Sequence, residues 1–333
     1  MRAYRRLNQC PTSVAFMQHR RVGHSGLEVS RLALGTMSWG AAVDGYEAEE
    51  QLKTFLDAGG TLVDTAPIYG DGNCEELLGT LLTKTGVRDK IVLAGKAALI
   101  HRDGEVVRDG SRKTLLAQLE LSLQQLGTDH LDLWQIHRWD EKTPIEETLA
   151  TLEQVVRSGK VTYVGISNFT GWQTSLAHTW LAGRPDALPL VSTQVEYSLV
   201  HREPEDEVLP AADHHGIGVL AWSPLGRGVL TGKYRTGIPA DSRAADPGWG
   251  DFVSRYLTPG KSAVVEAAAR ASEGLGVTVA HVSLAWLLGR PGVASAIVGA
   301  RTTAQLQESL AADELELPPE IVQALDDVSA AAR

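Results

Sequence analysis

The chain has 333 residues, 43% hydrophobic and 22% charged, which is a globular rather than a disordered composition. Its 31 Lys and Arg face 41 Asp and Glu, a formal net charge of −10 that argues against a nucleic-acid binder, whose affinity rests on neutralising phosphates. Two cysteines, Cys10 and Cys74, cannot build a disulfide framework, and no apolar run approaches the roughly 20 residues of a membrane span, so a cytoplasmic protein without membrane partners is expected.

Residues 1–19 begin basic (Arg2, Arg5, Arg6) but lack the apolar stretch of a secretory signal, and read as a disordered leader or as sequence upstream of a start at Met17. Residues 20–333 read as one domain. Arg21–Leu34, with Gly23 and Ser25-Gly26 between short apolar runs, reads as a hairpin suited to plug a barrel floor. Eight short runs rich in β-branched residues follow: Arg31–Thr36, Thr61–Thr65, Lys90–Lys96, Leu131–His137, Val161–Ser167, Leu190–Tyr197, Gly216–Trp222 and Ala294–Gly299. Stretches of helical period lie between them, at Glu47–Ala58, Cys74–Thr83, Ser111–Leu126, Pro144–Ser158, Trp172–Leu181 and Thr278–Leu288. In the third, Leu115, Leu116, Leu119, Leu123 and Leu126 share one face. Thr143 reads as an N-cap with Pro144 at the first helical position, and Gly159 as that helix's stop.

Strand and helix alternating eight times predict an α/β fold with a parallel sheet covered by helices, closing as a (β/α)8 TIM barrel. An open doubly wound sheet is the alternative. Two long loops stand out: Ala97–Gly110, of mixed charge, and the Gly- and Pro-rich Ser223–Pro259 after the seventh strand, a length typical of lids and binding loops.

Some local patterns fail on context. The run from Gly228 to Lys233 resembles a phosphate loop, but Arg227 stands where the first glycine belongs and Tyr234 where Ser or Thr belongs. No H-E-x-x-H or C-x-x-C is present, so no metal site is expected. His214-His215 reads as a solvated pair.

The strand ends carry the chemistry. In a barrel of this type the active face lies at the C-terminal ends of the strands. Those ends give Asp64, with Tyr69 five residues on, then Lys96, His137, Ser167-Asn168, Gln194 and Trp222, and the eighth strand runs into Arg301. A free tyrosine, with a pKa near ~10, is a poor acid at neutral pH. A cationic lysine beside it favours the phenolate, and an aspartate keeps that lysine charged. A histidine can orient a carbonyl oxygen. The set suits protonation of an oxygen on which negative charge develops, as in carbonyl reduction, given a source of hydride.

From Arg20 to Asp327 the sequence resembles the aldo-keto reductase family, in its branch of bacterial general-stress reductases and potassium-channel β subunits. Seven ordered motifs carry the resemblance: Gly-Leu-Glu-Val-Ser-Arg-Leu-Ala-Leu-Gly-Thr-Met at 26–37, Asp-Thr-Ala-Pro-Ile-Tyr-Gly at 64–70, Gly-Lys at 95–96, Leu-Asp-Leu-Trp-Gln-Ile-His at 131–137, Gly-Lys-Val-Thr-Tyr-Val-Gly-Ile-Ser-Asn-Phe at 159–169, Gln-Val-Glu-Tyr-Ser at 194–198, and the run from Ala221 to Tyr234. The resemblance implies a barrel that binds NADPH in extended form, and a tetrad of Asp64, Tyr69, Lys96 and His137 with Tyr69 as general acid. It implies that Ser167, Asn168 and Gln194 bond the nicotinamide carboxamide, that Trp222 stacks on the ring, and that Gly35, Thr36 and Met37 line the same pocket. Ser223, Leu225, Gly226, Gly228, Lys233 and Arg243 would hold the pyrophosphate, and Gly299, Ala300, Arg301, Gln305 and Glu308 the adenosine end. The chain departs from the family pattern at Ser309, where Asn is usual, at Cys74, where Ser is common, and at Trp139, which is placed to narrow the substrate pocket.

Arg301, in the turn before a helix starting near Thr303, is suited to the 2′-phosphate that only NADPH carries, with the helix N-terminus helping. Trp39, Trp139 and Trp222 are expected to wall a pocket for small aromatic or aliphatic aldehydes and ketones. No arginine cluster marks an anionic substrate. Two other readings remain: a redox-sensing accessory protein that binds NADPH and turns over slowly, and a lyase using Lys96 as a Schiff base. The second leaves Ser167, Asn168, Gln194 and Trp222 without a role. The sequence is compatible with a monomer or a homo-oligomer.

Overall fold

The computed structural model describes residues 17–333 apart from Asp186, Pro247, Trp249 and Arg333. The expected leader lies outside the described residues except for its last three. Met17 is buried and its N–H donates to Ala58 O, Gln18 N–H donates to Asp313, and His19 opens the first strand, so these three are part of the fold.

β1 (His19–Arg21) and β2 (Glu28–Ser30) pair antiparallel as the expected hairpin. Eight parallel strands then close a barrel: β3 (Leu32–Gly35), β4 (Leu62–Asp64), β5 (Val92–Ala97), β8 (Leu131–Ile136), β9 (Val161–Ser167), β10 (Leu190–Glu196), β11 (Gly218–Trp222) and β12 (Val293–Val298), with β12 pairing with β3. The fold is a (β/α)8 barrel. A second hairpin, β6 (Leu99–Arg102) and β7 (Glu105–Arg108), occupies the segment expected to be a loop. Its two-residue turn is Asp103-Gly104, both left-handed, and an Asp-Gly pair between short runs is the usual sequence signal for such a turn.

The helices are α1 (Gly45–Asp57), α2 (Asn73–Thr85), α3 (Arg112–Leu126), α4 (Ile145–Arg157), α5 (Gly171–Ala182), α6 (Pro204–His215), α7 (Gly250–Ser254), α8 (Pro259–Leu275), α9 (Val279–Leu288), α10 (Thr303–Leu310) and α11 (Pro319–Ala330). Local chemistry sets their starts. Asp44, Ser111, Thr170, Thr258, Thr278 and Thr302 each accept a first-turn N–H, and α6, α8 and α11 carry proline in the first turn. The expected cap at Thr143 is corrected: Pro144 is the N-cap, and the Thr143 hydroxyl donates to Asp140 instead. The long loop after β11 contains α7 and two short 3₁₀ turns, Gly226–Thr231 and Arg243–Ala245. Among the described residues no single helix is long and apolar enough to cross a membrane.

Strand periodicity separates the barrel's two ends. Side chains two residues apart face the same side, so Leu62 and Asp64, Ala94 and Lys96, Leu133 and Gln135, and Leu220 and Trp222 each point into the barrel. The first of each pair packs on the hairpin residues Val22, Leu27 and Val29, and this apolar cluster closes the floor. The second of each pair lies one layer nearer the mouth. A larger apolar core fills the space between strands and helices.

Candidate active site

Register places the mouth residues side by side. Gly35 pairs with Asp64, Asp64 with Ala94, Lys96 with Gln135, and Gln194 with Ser167. Lys96, fully buried at 0% exposure, donates to Asp64 Oδ1 at 2.5 Å, to Thr65 O at 3.1 Å and to Tyr69 Oη at 3.3 Å. A buried ammonium is tolerable only with such partners. Tyr69 arrives from a sharp reversal after β4: Gly70, Asp71 and Gly72 are all left-handed, which turns the chain from the strand into α2. The ring of His137 meets that of Tyr69 edge to face, centroids 5.9 Å apart.

Burial pushes the Tyr69 hydroxyl's pKa up, and the opposing pull of Lys96 does not reverse it. Lys96 does pull toward the phenolate, as expected, but desolvation outweighs that pull, and Tyr69 holds its proton. Burial alone would discharge Lys96, but Asp64 and Tyr69 carry its pKa above the ordinary lysine value. Burial, then the charges of Lys96 and Arg138, drive the His137 pKa well below the usual histidine range, so the ring is neutral at neutral pH. Among the described residues nothing bonds to its ring nitrogens. The site is therefore a protonated tyrosine, a charged lysine and a neutral imidazole around one pocket.

A hydrogen-bonded chain that the sequence does not reveal supports this group. Trp222 Nε1 donates to Asn168 Oδ1 at 3.0 Å, and Asn168 Nδ2 donates to Ser167 Oγ at 2.9 Å and to His137 O at 3.0 Å. Ser167 Oγ donates to Gln194 O at 2.9 Å, and Gln194 Nε2 donates to Asp64 Oδ2 at 2.8 Å. Of the residues expected to grip a carboxamide, Gln194 thus also fixes Asp64, while Ser167 bonds the Gln194 carbonyl. Asn168 adopts left-handed φ 57°, which asparagine tolerates better than most residues.

The expected cofactor residues fall into two further groups. Gly226, Gly228 and Ser223 lie in the tight turns after β11, and Lys233 folds back so that a side chain at Gly228 would come within 3.2 Å of its Nζ. Leu225 precedes that turn. Met37, Arg243 and Arg301 line a groove of about 340 Å³. Burial and the neighbouring charge of Arg301 push the Arg243 pKa down, so two cations share the groove, which suits an anionic ligand such as a phosphate. Gly299 and Ala300 lead into it, Ala300 O accepting from Ser38, and Gln305 accepts from the Arg301 N–H. The residues present fit a nicotinamide dinucleotide.

Four expectations need correcting. Trp39 is fully buried at 0% and donates to Gln51, so it is not a pocket wall. Thr36 is buried, its hydroxyl donating to Asp64 O. The α10 N-terminus is not open as expected: Glu47 already accepts both the N–H and the hydroxyl of Thr303. Arginines, finally, do gather at the mouth. Arg108 and Arg227 lie close enough to Arg138 for their charges to push its pKa down, and in the sequence Arg138 directly follows His137. Glu308 is exposed and contributes its backbone carbonyl to His281. Trp139 stays at the rim, edge to face with Phe169 at 5.2 Å and with Trp172 at 5.3 Å. A separate cleft of about 490 Å³ lies at the floor beside Arg20 and Arg290, away from these groups.

The sequence profile of the Aldo/keto reductase family matches residues 31–330. The chain is 37% identical over 321 residues to an uncharacterized oxidoreductase of Bacillus subtilis (strain 168), covering 94% of this chain and 96% of that one. It is 35% identical over 300 residues to a probable voltage-gated potassium channel subunit beta of Arabidopsis thaliana, covering 89% and 91%. It is 35% identical over 314 residues to an L-glyceraldehyde 3-phosphate reductase of Escherichia coli O157:H7, covering 91% and 89%.

Proposed function

The chain belongs to the aldo/keto reductase family of oxidoreductases, and from that premise we propose that it reduces aldehydes or ketones to alcohols, with NADPH as hydride donor and Tyr69 as general acid. The observation that carries this reading is Lys96, a buried ammonium within bonding reach of both the Asp64 carboxylate and the Tyr69 hydroxyl.

When bound, a nicotinamide cofactor would supply the hydride that the carbonyl carbon accepts. The carbonyl oxygen, as it gains negative charge, takes the proton of Tyr69 Oη. Lys96 stabilises the tyrosinate left behind, and Asp64, held by Gln194, keeps Lys96 charged and aimed. A raised tyrosine pKa keeps the acid form loaded through neutral pH. Neutral His137 donates a hydrogen bond to the same oxygen and orients it. Ser167, Asn168, Gln194 and Trp222 would hold the nicotinamide end, Ser223, Leu225, Gly226, Gly228, Lys233 and Arg243 the pyrophosphate, and Gly299, Ala300, Arg301, Gln305 and Glu308 the adenosine end. With Thr303 engaged by Glu47, the preference for NADPH rests on the Arg301 guanidinium rather than on helix amides. The partner is a small carbonyl compound, in a cytoplasmic setting. One relative bears the name L-glyceraldehyde 3-phosphate reductase, which favours an aldehyde as the carbonyl compound.

The test is consumption of NADPH and NADH against a carbonyl panel, with Arg301→Ala beside the wild type. NADPH should be preferred, and the variant should lose ~1–3 kcal/mol of NADPH affinity, the range for a charge-assisted hydrogen bond, with little change for NADH. No consumption with any carbonyl would end the reductase reading. Equal weakening of both cofactors would remove Arg301 from the phosphate site.

A further inference from the structure

Arg138 follows His137 directly, so the strand end that delivers the imidazole also delivers a guanidinium to the rim of the site. Arg108 is brought beside it by a clamp. The Gly110 N–H donates to Asp140 Oδ2 at 2.9 Å and Thr148 Oγ1 donates to Gly110 O at 2.8 Å. The clamp thus locks the position two residues past Arg108 to the position two residues past Arg138. His101 on β6 also ties this hairpin to the Tyr69 turn, its Nε2 lying 3.1 Å from the Asp71 carboxylate.

Among the described residues, neither the Arg138 nor the Arg108 side chain makes a hydrogen bond or an ion pair. Burial, then the charges of Arg108 and Arg227, push the Arg138 pKa down, with only Glu196 pulling the other way. Glu196 is already committed. Its carboxylate accepts from Arg227 Nε at 2.9 Å and Nη2 at 2.6 Å, and from Tyr256 Oη at 2.8 Å. Arg227 is therefore neutralised, while Arg138 and Arg108 are not. The chain has an excess of carboxylates, 41 acidic against 31 basic residues, so two unmatched arginines at one mouth do not reflect a shortage of acids.

We propose that the carbonyl substrate carries an anionic group, a carboxylate or a phosphate, held at the rim by Arg138 and Arg108 while its carbonyl oxygen lies between Tyr69 and His137. The proposal rests on the carbonyl-reductase reading and deepens it by naming the substrate class. A guanidinium presents a planar fork of donors that matches both anions, and an anion between two arginines relieves their mutual repulsion. The rim then selects the substrate and the buried tetrad reduces it.

The experiment compares matched pairs of aldehydes by kcat/KM: butanal with succinic semialdehyde, and glycolaldehyde with glycolaldehyde phosphate. The two pairs separate a carboxylate preference from a phosphate preference. The wild type should favour at least one anionic member by about tenfold to a hundredfold, mainly through KM, as expected for charge-assisted bonds remote from the reacting atoms. The ratio of anionic to neutral kcat/KM should collapse toward one in the Arg138→Gln, Arg108→Gln double variant and at high salt, and Arg138→Lys should restore part of it. Reduction of the neutral aldehydes with no anionic preference overturns the proposal and leaves the reductase reading standing, as does a ratio that the double variant does not change. No reduction of either kind ends both. Should the double variant fail to fold, inhibition of butanal reduction in the wild type decides: competitive inhibition by succinate or inorganic phosphate supports the anion site, and its absence overturns it.

Discussion

The two ends of the barrel are built on the same eight strands and solve opposite problems. At the floor, the chain turns left-handed between helix and strand only at glycines, among the described residues: Gly59, Gly86, Gly127, Gly159, Gly216 and Gly292. At the mouth, six non-glycine residues adopt that conformation: Asp71, Ala98, Asp103, Asn168, Ser223 and Arg227. Each such residue costs on the order of 1 kcal/mol or more, and such strain persists only where the surroundings over-determine it. The floor is apolar and relaxed, closed by Val22, Leu27 and Val29. The mouth holds a buried ammonium, a buried carboxylate and unmatched arginines. The difference teaches that stability is concentrated at one end, and that the other end is held in an unfavourable arrangement because its side chains must converge.

The largest expected effect belongs to the mouth. Tyr69→Phe keeps the ring and removes the proton, so carbonyl reduction should fall by ~10²–10⁴-fold while cofactor binding, measured by fluorescence titration, persists. Near-full turnover across pH would remove Tyr69 from its role.

At the floor the consequence should be stability instead. Leu27→Ala leaves a cavity beneath the barrel and should cost about 2–5 kcal/mol in denaturant unfolding with kcat preserved in the folded fraction. A comparable loss of kcat would mean that the two ends are coupled.

A third prediction concerns a buried charge behind the mouth. Glu75 on α2 is fully buried, and neither carboxylate oxygen makes a well-formed hydrogen bond, although the Ser122 hydroxyl lies close by. Burial pushes its pKa from 4.5 up to about 7, with Ser122 and Lys96 only partly offsetting it. The folded state therefore holds this proton more tightly than the unfolded state, and stability drains away as pH rises from about 4.5 to about 7. Glu75→Gln removes that slope. Its advantage should grow across this window to at most about 3 kcal/mol, read as melting temperature against pH. An advantage that does not change with pH would mean Glu75 is ionised throughout.

The smallest effect sharpens the comparison directly. Ala98→Gly relieves a left-handed alanine at φ 81° while keeping its backbone bonds to Gln118 and Asp109, and should stabilise by ~1 kcal/mol. A destabilised variant would show that Ala98 is not strained.

Much of this architecture is legible in the chain alone. Eight apolar runs separated by helical periods fix strand number and order, because burial of a period-2 face and a period-3.6 face leaves few ways to close the sheet. The polar residues at the strand ends are equally legible, since Asp64, Lys96, His137 and Gln194 interrupt or end runs that are otherwise Val, Leu, Ile and Ala. Tertiary structure alone decided how those residues are used. Nothing local says that Gln194 donates to an aspartate 130 positions away, that Glu196 is committed to Arg227, or that Glu47 from α1 reaches the start of α10. Trp39 shows the same limit, because an indole near a strand end reads as a pocket wall until the packing of Gln51 on α1 encloses it. Sequence periodicity specifies which face a residue lies on, but the partner of a charge or the balance of burial against Coulomb attraction at Tyr69 depends on distances between elements far apart in the chain, which exist only once the barrel has closed.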